Sequence, residues 1–222
     1  MNWTGWETCV TCYNGRRNGF DDRSKRREMI MRVLSKTILY GSVSVLLFAG
    51  AVIAEEFSYD FMPKGGSKLL VEALNRCKGC DLKTILNSKM TKEKWKENLQ
   101  GKGALAGMSP KQVETLVAYV SINMPAPKVK VPADPKKLKF SDLPEDGQEI
   151  LLESCTLCHP LGPVLAEERD AKGWEGIYHT NPHPETNLPK QKLEELVHYL
   201  GINMPIPDKD IPAELKGKLP GY

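Results

Sequence analysis

The stretch SPKQVETLVAYVSINMPAPKVKVPAD, from Ser109 to Asp134, returns 80 residues later as PKQKLEELVHYLGINMPIPDKDIPAE, from Pro189 to Glu214. Upstream of each stretch a tryptophan and a C-x-x-C pair also recur, at offsets of 79 and 78. The same landmarks in the same order, with a slow drift in offset, indicate a duplicated unit with small changes in loop length. We place the first repeat at residues 65–124 and the second at residues 145–204.

The repeats have the apolar spacing of helices. Near the end of each repeat, apolar residues recur three and four positions apart, as on one face of a helix. They are Val113, Leu116, Val117 and Val120 in the first repeat and Leu193, Leu196, Val197 and Leu200 in the second. Pro125 and Pro205 end these helices, and no alternating run of β-branched residues indicates a sheet. The sequence therefore predicts an all-α fold of two tandem helical domains, with a proline-rich linker at 125–144 and a tail at 205–222.

The distribution of charge excludes a nucleic-acid partner. The chain has 222 residues and a net charge of +3, and its excess of basic residues lies within residues 1–54. The remainder is close to neutral, so no basic surface of the kind that binds nucleic acid is expected there.

The first 54 residues have the features of an export leader. Basic residues precede the uncharged run TILYGSVSVLLFAGAVIA, from Thr37 to Ala54, and two glutamates follow it. This order is typical of a secretory signal peptide, and we expect cleavage after Ala54. The alternative is an uncleaved membrane anchor, for which the run of 18 residues is just long enough. Both interpretations put the repeats outside the cytoplasm, in the periplasm or an equivalent exported location.

The second repeat carries the sequence Cys155-Thr156-Leu157-Cys158-His159. C-x-x-C-H is the attachment site of c-type haem. The thiols of Cys155 and Cys158 add to the two vinyl groups of the haem, and His159 then binds the iron as the proximal ligand. A disulfide or a zinc site that uses Cys158 and His159 is the alternative. Neither accounts for the adjacent histidine and the flanking helices together.

Residues 145–204 resemble a class I cytochrome c domain, through the pattern CTLCHP…GW…LPKQKLEELVHYL. The first repeat resembles a degenerate copy of the same domain. The resemblance implies an all-α fold in which the first and last helices cross beside the haem. It also implies one covalent haem c and electron transfer as the function.

The sixth ligand of the iron is open at this point. The resembled family usually has a methionine in the loop before the last helix, and this sequence has none there in the second repeat. We expect His183, which is followed by a proline, to be the distal ligand. His179 and Met204 are the alternatives, together with an open site. Met204 has a twin in Met124, so a packing role common to both repeats explains it more simply.

The first repeat lacks the histidine of the motif. Cys77 and Cys80 are followed by Asp81, and all four histidines of the chain lie in the second repeat. We expect a disulfide between Cys77 and Cys80, because the protein is predicted to be exported. A haem attached without histidine, free thiols or a metal are the alternatives. The first repeat would then be a scaffold that docks a partner or covers the haem edge.

These observations favour an exported electron carrier, or an electron-transfer subunit, over an enzyme. Its expected partners are redox proteins, including a membrane or periplasmic oxidoreductase complex. The first alternative is a haem protein that binds or senses a small ligand at an open sixth position. The second is a structural protein in which the cysteines form only disulfides.

Overall fold

A computed structural model of the chain describes residues 58–132, 134, 137–157, 160–180 and 183–217. These residues form helices joined by turns and extended segments, and no strand occurs among them. The prediction of an all-α fold is therefore confirmed for the described part of the chain. No helix in that part is long and apolar enough to cross a membrane. The predicted leader lies outside the described residues.

The helices follow the same order in the two repeats. The first repeat contains α1 (Gly66–Arg76), α2 (Leu82–Asn87), α3 (Lys92–Gly101) and α4 (Pro110–Asn123). The second contains α5 (Gly147–Ser154), α6 (Gly162–Ala166), α7 (Ala171–Tyr178) and α8 (Lys190–Asn203). Short 3₁₀ helices are formed by Phe140–Asp142, Cys155–Leu157, His183–Thr186, Asp208–Asp210 and Ala213–Leu215.

Side-chain caps in the sequence fix the start of several helices. Thr91, Ser109, Asp146 and Asp170 each accept a hydrogen bond from a backbone N–H in the first turn of the helix that follows. Such caps satisfy donors that have no partner inside the helix. At the other end, α4 and α8 both stop just before a Met-Pro pair, because proline cannot continue the helical hydrogen bonds.

In each repeat the first helix packs against the last helix at a glycine. A Cβ atom on Gly66 of α1 would lie well under 3.0 Å from the side chain of Tyr119 in α4. A Cβ atom on Gly147 of α5 would meet Tyr199 of α8 in the same way. Both tyrosine rings are buried. The two pairs of helices can therefore approach this closely only because glycine has no side chain.

Each repeat has its own hydrophobic core. Trp95 lies in the first core and Trp174 in the second, with exposed fractions of 0% and 6%. The linker between the repeats adds Leu138 and Leu143 to the first core. The linker is thus partly packed, which its proline and lysine content did not indicate. The reason is that its few large apolar side chains still gain free energy by leaving water.

The last helices of the two repeats pack against each other. Asn123 Nδ2 donates to Glu195 Oε2 at 3.0 Å, and Asn203 Nδ2 donates to Thr115 Oγ1 at 3.0 Å. Thr115 matches Glu195 at an offset of 80, and Asn123 matches Asn203 at the same offset. The contact is therefore reciprocal, as expected for two copies related by an approximate two-fold axis. The described residues from Tyr59 onwards form one compact unit.

A single carboxylate joins the amino-terminal ends of α1 and α5. Oδ1 of Asp146 accepts from the backbone N–H groups of Gln148 at 3.0 Å and Glu149 at 3.1 Å. Oδ2 accepts from the backbone N–H of Ser67 at 3.0 Å and also from the Ser67 hydroxyl. Asp146 is fully buried. The partial positive charge of both helix ends compensates this buried anion.

A second buried acid, Glu195, lies at the same junction. It is 3% exposed, and its Oε1 accepts from the backbone N–H of Gly147 at 3.3 Å. Burial raises the pKa of Glu195 to about 8, and the negative charge of Asp146 adds to the shift. The folded protein therefore holds Glu195 largely protonated at neutral pH.

We expect the substitutions Gly66→Ala and Gly147→Ala each to destabilise the protein by about 1–3 kcal/mol, because the new methyl group overpacks a tyrosine. Gly176→Ala in α7 is the matched control, since no atom lies within 4 Å of its Cβ position. That control should leave stability unchanged or raise it by up to about 1 kcal/mol through helix propensity. Urea unfolding measures all three. Equal stability of the Gly147 and Gly176 variants would contradict the close packing.

We expect the stability of the protein to fall as pH rises from about 4.5 to about 8. Folded Glu195 holds its proton up to about pH 8, whereas the ordinary pKa of the unfolded side chain is 4.5. The contribution of Glu195 to the free energy of unfolding is complete below the unfolded pKa. It is lost as pH rises through the folded pKa, at up to about 1.4 kcal/mol per pH unit.

Urea unfolding between pH 4.5 and 9 tests this expectation. Glu195→Gln should reduce the slope, and Glu194→Gln, on the exposed side of α8, should keep it. A Glu195→Gln protein with the original slope would show that the titrating group lies elsewhere.

Candidate functional site

The end of α5 brings the first cysteine of the C-x-x-C-H sequence to the second core. The backbone N–H of Cys155 donates to the carbonyl of Leu151, and the 3₁₀ turn Cys155–Leu157 continues the helix. Cys155 is half-buried and packs against the second core. The other two predicted residues of the motif, Cys158 and His159, lie outside the described residues.

His183 lies in a 3₁₀ turn between α7 and α8, where its ring is held by backbone carbonyls. Nδ1 is 3.0 Å from the carbonyl oxygen of Ile177 and 3.1 Å from that of Thr180. A carbonyl oxygen only accepts, so we infer that Nδ1 carries the proton in both contacts. The neutral ring then has its lone pair on Nε2, and this is the form in which histidine binds a metal. The chain thus gives the imidazole a defined orientation and tautomer.

The alternative distal residues have different surroundings. His179 is the exposed C-terminal cap of α7, and its ring meets the Tyr178 ring edge-on at 5.6 Å between centroids. Met204 is 4% exposed within the second core, as Met124 is 3% exposed within the first. A position that is equally buried in both repeats supports the packing role expected for Met204.

In the first repeat, Cys77 and Cys80 form a disulfide with their Cα atoms 5.6 Å apart. Asp81, at the position that corresponds to His159, caps α2 by accepting from the backbone N–H groups of Lys83 and Thr84 and from the Thr84 hydroxyl. The hydrogen bonds from Thr84 lower the pKa of Asp81. The residue that replaces the histidine is thus an ionised helix cap.

The two matched tryptophans have the same unsatisfied donor. Nε1 of Trp95 and Nε1 of Trp174 are buried, and neither has a hydrogen-bond partner among the described residues. An indole N–H can only donate, so each of these groups lacks an acceptor among the described residues. Because the feature occurs in both repeats, it belongs to their common architecture.

A groove of about 880 Å³ lies between α3 and α4 of the first repeat. Lys92, Lys96, Leu105 and Met108 are among the residues that line it. None of the residues predicted to bind haem contributes to this groove.

The residues that hold the loop around His183 were not predicted from the sequence. The Tyr178 hydroxyl accepts a hydrogen bond from the backbone N–H of Leu188 at 2.9 Å and lies 3.3 Å from Oγ1 of Thr186. The sequence contained one indication that Tyr178 has a specific role. The matched position in the first repeat is Leu99, which has no hydroxyl.

Within the described residues, no three side chains of His, Cys, Asp or Glu come together as a metal-binding group. A haem site of the predicted kind draws on Cys158 and His159, which are not among those residues. No family model, curated protein or solved structure matches this chain.

Proposed function

We propose that this protein is an exported c-type cytochrome that transfers electrons through one haem bound covalently to its second repeat. Cys155 and Cys158 hold the haem, His159 is the proximal ligand and His183 is the distal ligand. The two repeats are then cytochrome c-like domains, of which the first has lost haem binding.

The difference between the two repeats carries this proposal. The copy with the complete C-x-x-C-H sequence also contains a histidine whose Nδ1 faces two carbonyl oxygens and whose Nε2 has the lone pair. The copy with C-x-x-C-D contains a disulfide and a capping aspartate instead. Residues suited to bind iron therefore occur together in one repeat and are replaced together in the other.

One further observation fits a haem in the second repeat. Cys155 continues α5 at the border of an apolar core, and an apolar environment suits the haem macrocycle. When bound, the haem supplies a one-electron iron couple.

The residues of the chain set the properties of that couple. Two histidine ligands give a lower reduction potential than a histidine and a methionine, because methionine ligation raises it. We therefore propose a low-potential carrier or electron-transfer subunit rather than an enzyme. Its partners are redox proteins, such as a membrane or periplasmic oxidoreductase complex.

The proposed location is the periplasm or another exported compartment, with a membrane-anchored form as the alternative. The leader sequence supports export, and the Cys77–Cys80 disulfide fits an oxidising environment.

We expect one covalent haem per chain when the protein is expressed with a cytochrome c maturation system. Intact mass and a pyridine haemochrome assay measure the stoichiometry. Substitution of both Cys155 and Cys158 by serine should abolish attachment, because the thioether bonds are lost. The same double substitution at Cys77 and Cys80 should leave one haem in place.

Each other result has a defined meaning. Two haems per chain would show that the first repeat binds haem without a histidine. No haem would refute the proposed function and leave a structural protein with disulfides.

We expect His183→Ala to convert a six-coordinate low-spin haem into a high-spin form that binds carbon monoxide, because the distal ligand is removed. His179→Ala and Met204→Leu should keep the low-spin spectrum, as should His198→Ala, whose Nδ1 contacts a backbone carbonyl within α8. Ultraviolet–visible and electron paramagnetic resonance spectra distinguish these states. A high-spin wild-type protein that binds carbon monoxide readily would instead favour the ligand-sensing alternative.

A further inference from the structure

Tyr178 connects the end of α7 to the loop that carries His183. The tyrosine is the last residue of α7, is half-buried and packs against the second core. Its hydroxyl oxygen accepts from the backbone N–H of Leu188 at 2.9 Å. Because Leu188 lies just before α8, this contact ties the far end of the loop to the helix before it.

The same hydroxyl reaches the His183 turn through Thr186. The two hydroxyl oxygens of Tyr178 and Thr186 lie 3.3 Å apart, and Thr186 Oγ1 donates to the carbonyl oxygen of His183 at 2.8 Å. Each hydroxyl has one proton. The arrangement that uses each proton once is a chain in which tyrosine donates to threonine and threonine donates to the His183 carbonyl.

The His183 ring is held by backbone carbonyls at, and just after, the end of α7. Nδ1 faces the carbonyl oxygens of Ile177, next to Tyr178, and Thr180. Ile177 and Thr180 therefore orient the ring, while Tyr178 holds the backbone of the turn through Thr186. With Nδ1 fixed in this way, the direction of Nε2 is set by the position of the turn.

The first repeat lacks both the hydroxyl and the imidazole. Leu99, fully buried, is matched to Tyr178 at the offset of 79 that relates the two tryptophans. The corresponding loop of the first repeat has Gly103 and Gly107 at φ values of 69° and 74° and contains no histidine. The two repeats thus serve as an internal comparison in which tyrosine and histidine are present together or absent together.

We propose that Tyr178 is a positioning residue for the distal ligand. Its hydroxyl holds the segment from Thr186 to Leu188 so that His183 presents Nε2 in one orientation. This inference rests on the proposed function, in which Nε2 of His183 binds the haem iron. It gives a role in iron ligation to a residue outside the C-x-x-C-H sequence.

The test is Tyr178→Phe in the haem-loaded full-length protein, with Thr186→Val as a second variant of nearly the same shape. Both remove the hydroxyl chain and keep the His183 side chain. Loss of a group that orients a metal ligand typically lowers metal affinity about 10- to 100-fold. We expect a comparable loss of affinity of His183 for the iron, seen as a high-spin fraction, binding of carbon monoxide and an altered midpoint potential. Added imidazole should restore the low-spin spectrum.

Tyr199→Phe is the matched control. This variant removes a tyrosine hydroxyl that donates to the carbonyl oxygen of Pro63 at 2.6 Å. Pro63 does not belong to the His183 loop. The variant should lower thermal stability and leave the spectrum and the potential unchanged. A merely structural role of Tyr178 predicts the same behaviour for Tyr178→Phe.

The outcomes separate this inference from the proposed function. If His183→Ala becomes high-spin while the Tyr178 and Thr186 variants keep the wild-type spectrum and potential, the positioning role is refuted and the function stands. If the wild-type protein binds no haem, the function fails. If His183→Ala stays low-spin, another residue is the distal ligand and the role of Tyr178 falls with it.

Discussion

The buried carboxylate of Asp146 is the contact on which the arrangement of the two repeats depends. It accepts hydrogen bonds from the amino-terminal ends of α1 and α5 together. A buried carboxylate without such donors is strongly destabilising, and the partial positive charge of two helix ends offsets that cost here. A displacement of one repeat against the other would remove half of the donors. The charge therefore fixes how the repeats meet, and with it the packing of α4 against α8.

Matched positions of the two repeats meet at this junction, and they are occupied by different residues. Asp146 caps α5, whereas Gly65 caps α1, and a Cβ atom on Gly65 would collide with the Asp146 carboxylate. Glu195 likewise faces the junction from α8 where α4 has Thr115. A symmetric pair of each acid would bury four carboxyl groups side by side, where like charges repel. The second repeat supplies the acids, and the first supplies the small partners.

Features that depend on near neighbours could be predicted from the sequence, and features that depend on distant ones could not. Helical spacing predicted the all-α fold, and Pro125 and Pro205 predicted where α4 and α8 end. The junction was missed because Ser67 and Asp146 are 79 positions apart, and nothing local marks that cap as buried. His183 was a candidate from its place before a proline. The carbonyls that orient it, and Tyr178, depend on how the loop returns to α7.

The residues in which the first repeat agrees with the second, and those in which it differs, indicate a structural role for the first repeat. It keeps the packing residues of the common fold, such as Trp95 and the close contact of Gly66 with Tyr119. It replaces the positions that correspond to His159 and Tyr178 by Asp81 and Leu99, one a helix cap and the other a core residue. Each replacement is stabilising where it stands. Under the proposed function, a copy that had lost haem binding without other constraint would also have lost its packing. The first repeat has a reason to keep its packing if α1 and α4 are needed to hold the second repeat. Ser67 of α1 supplies half of the hydrogen-bond donors to Asp146, and Asn123 of α4 donates to Glu195.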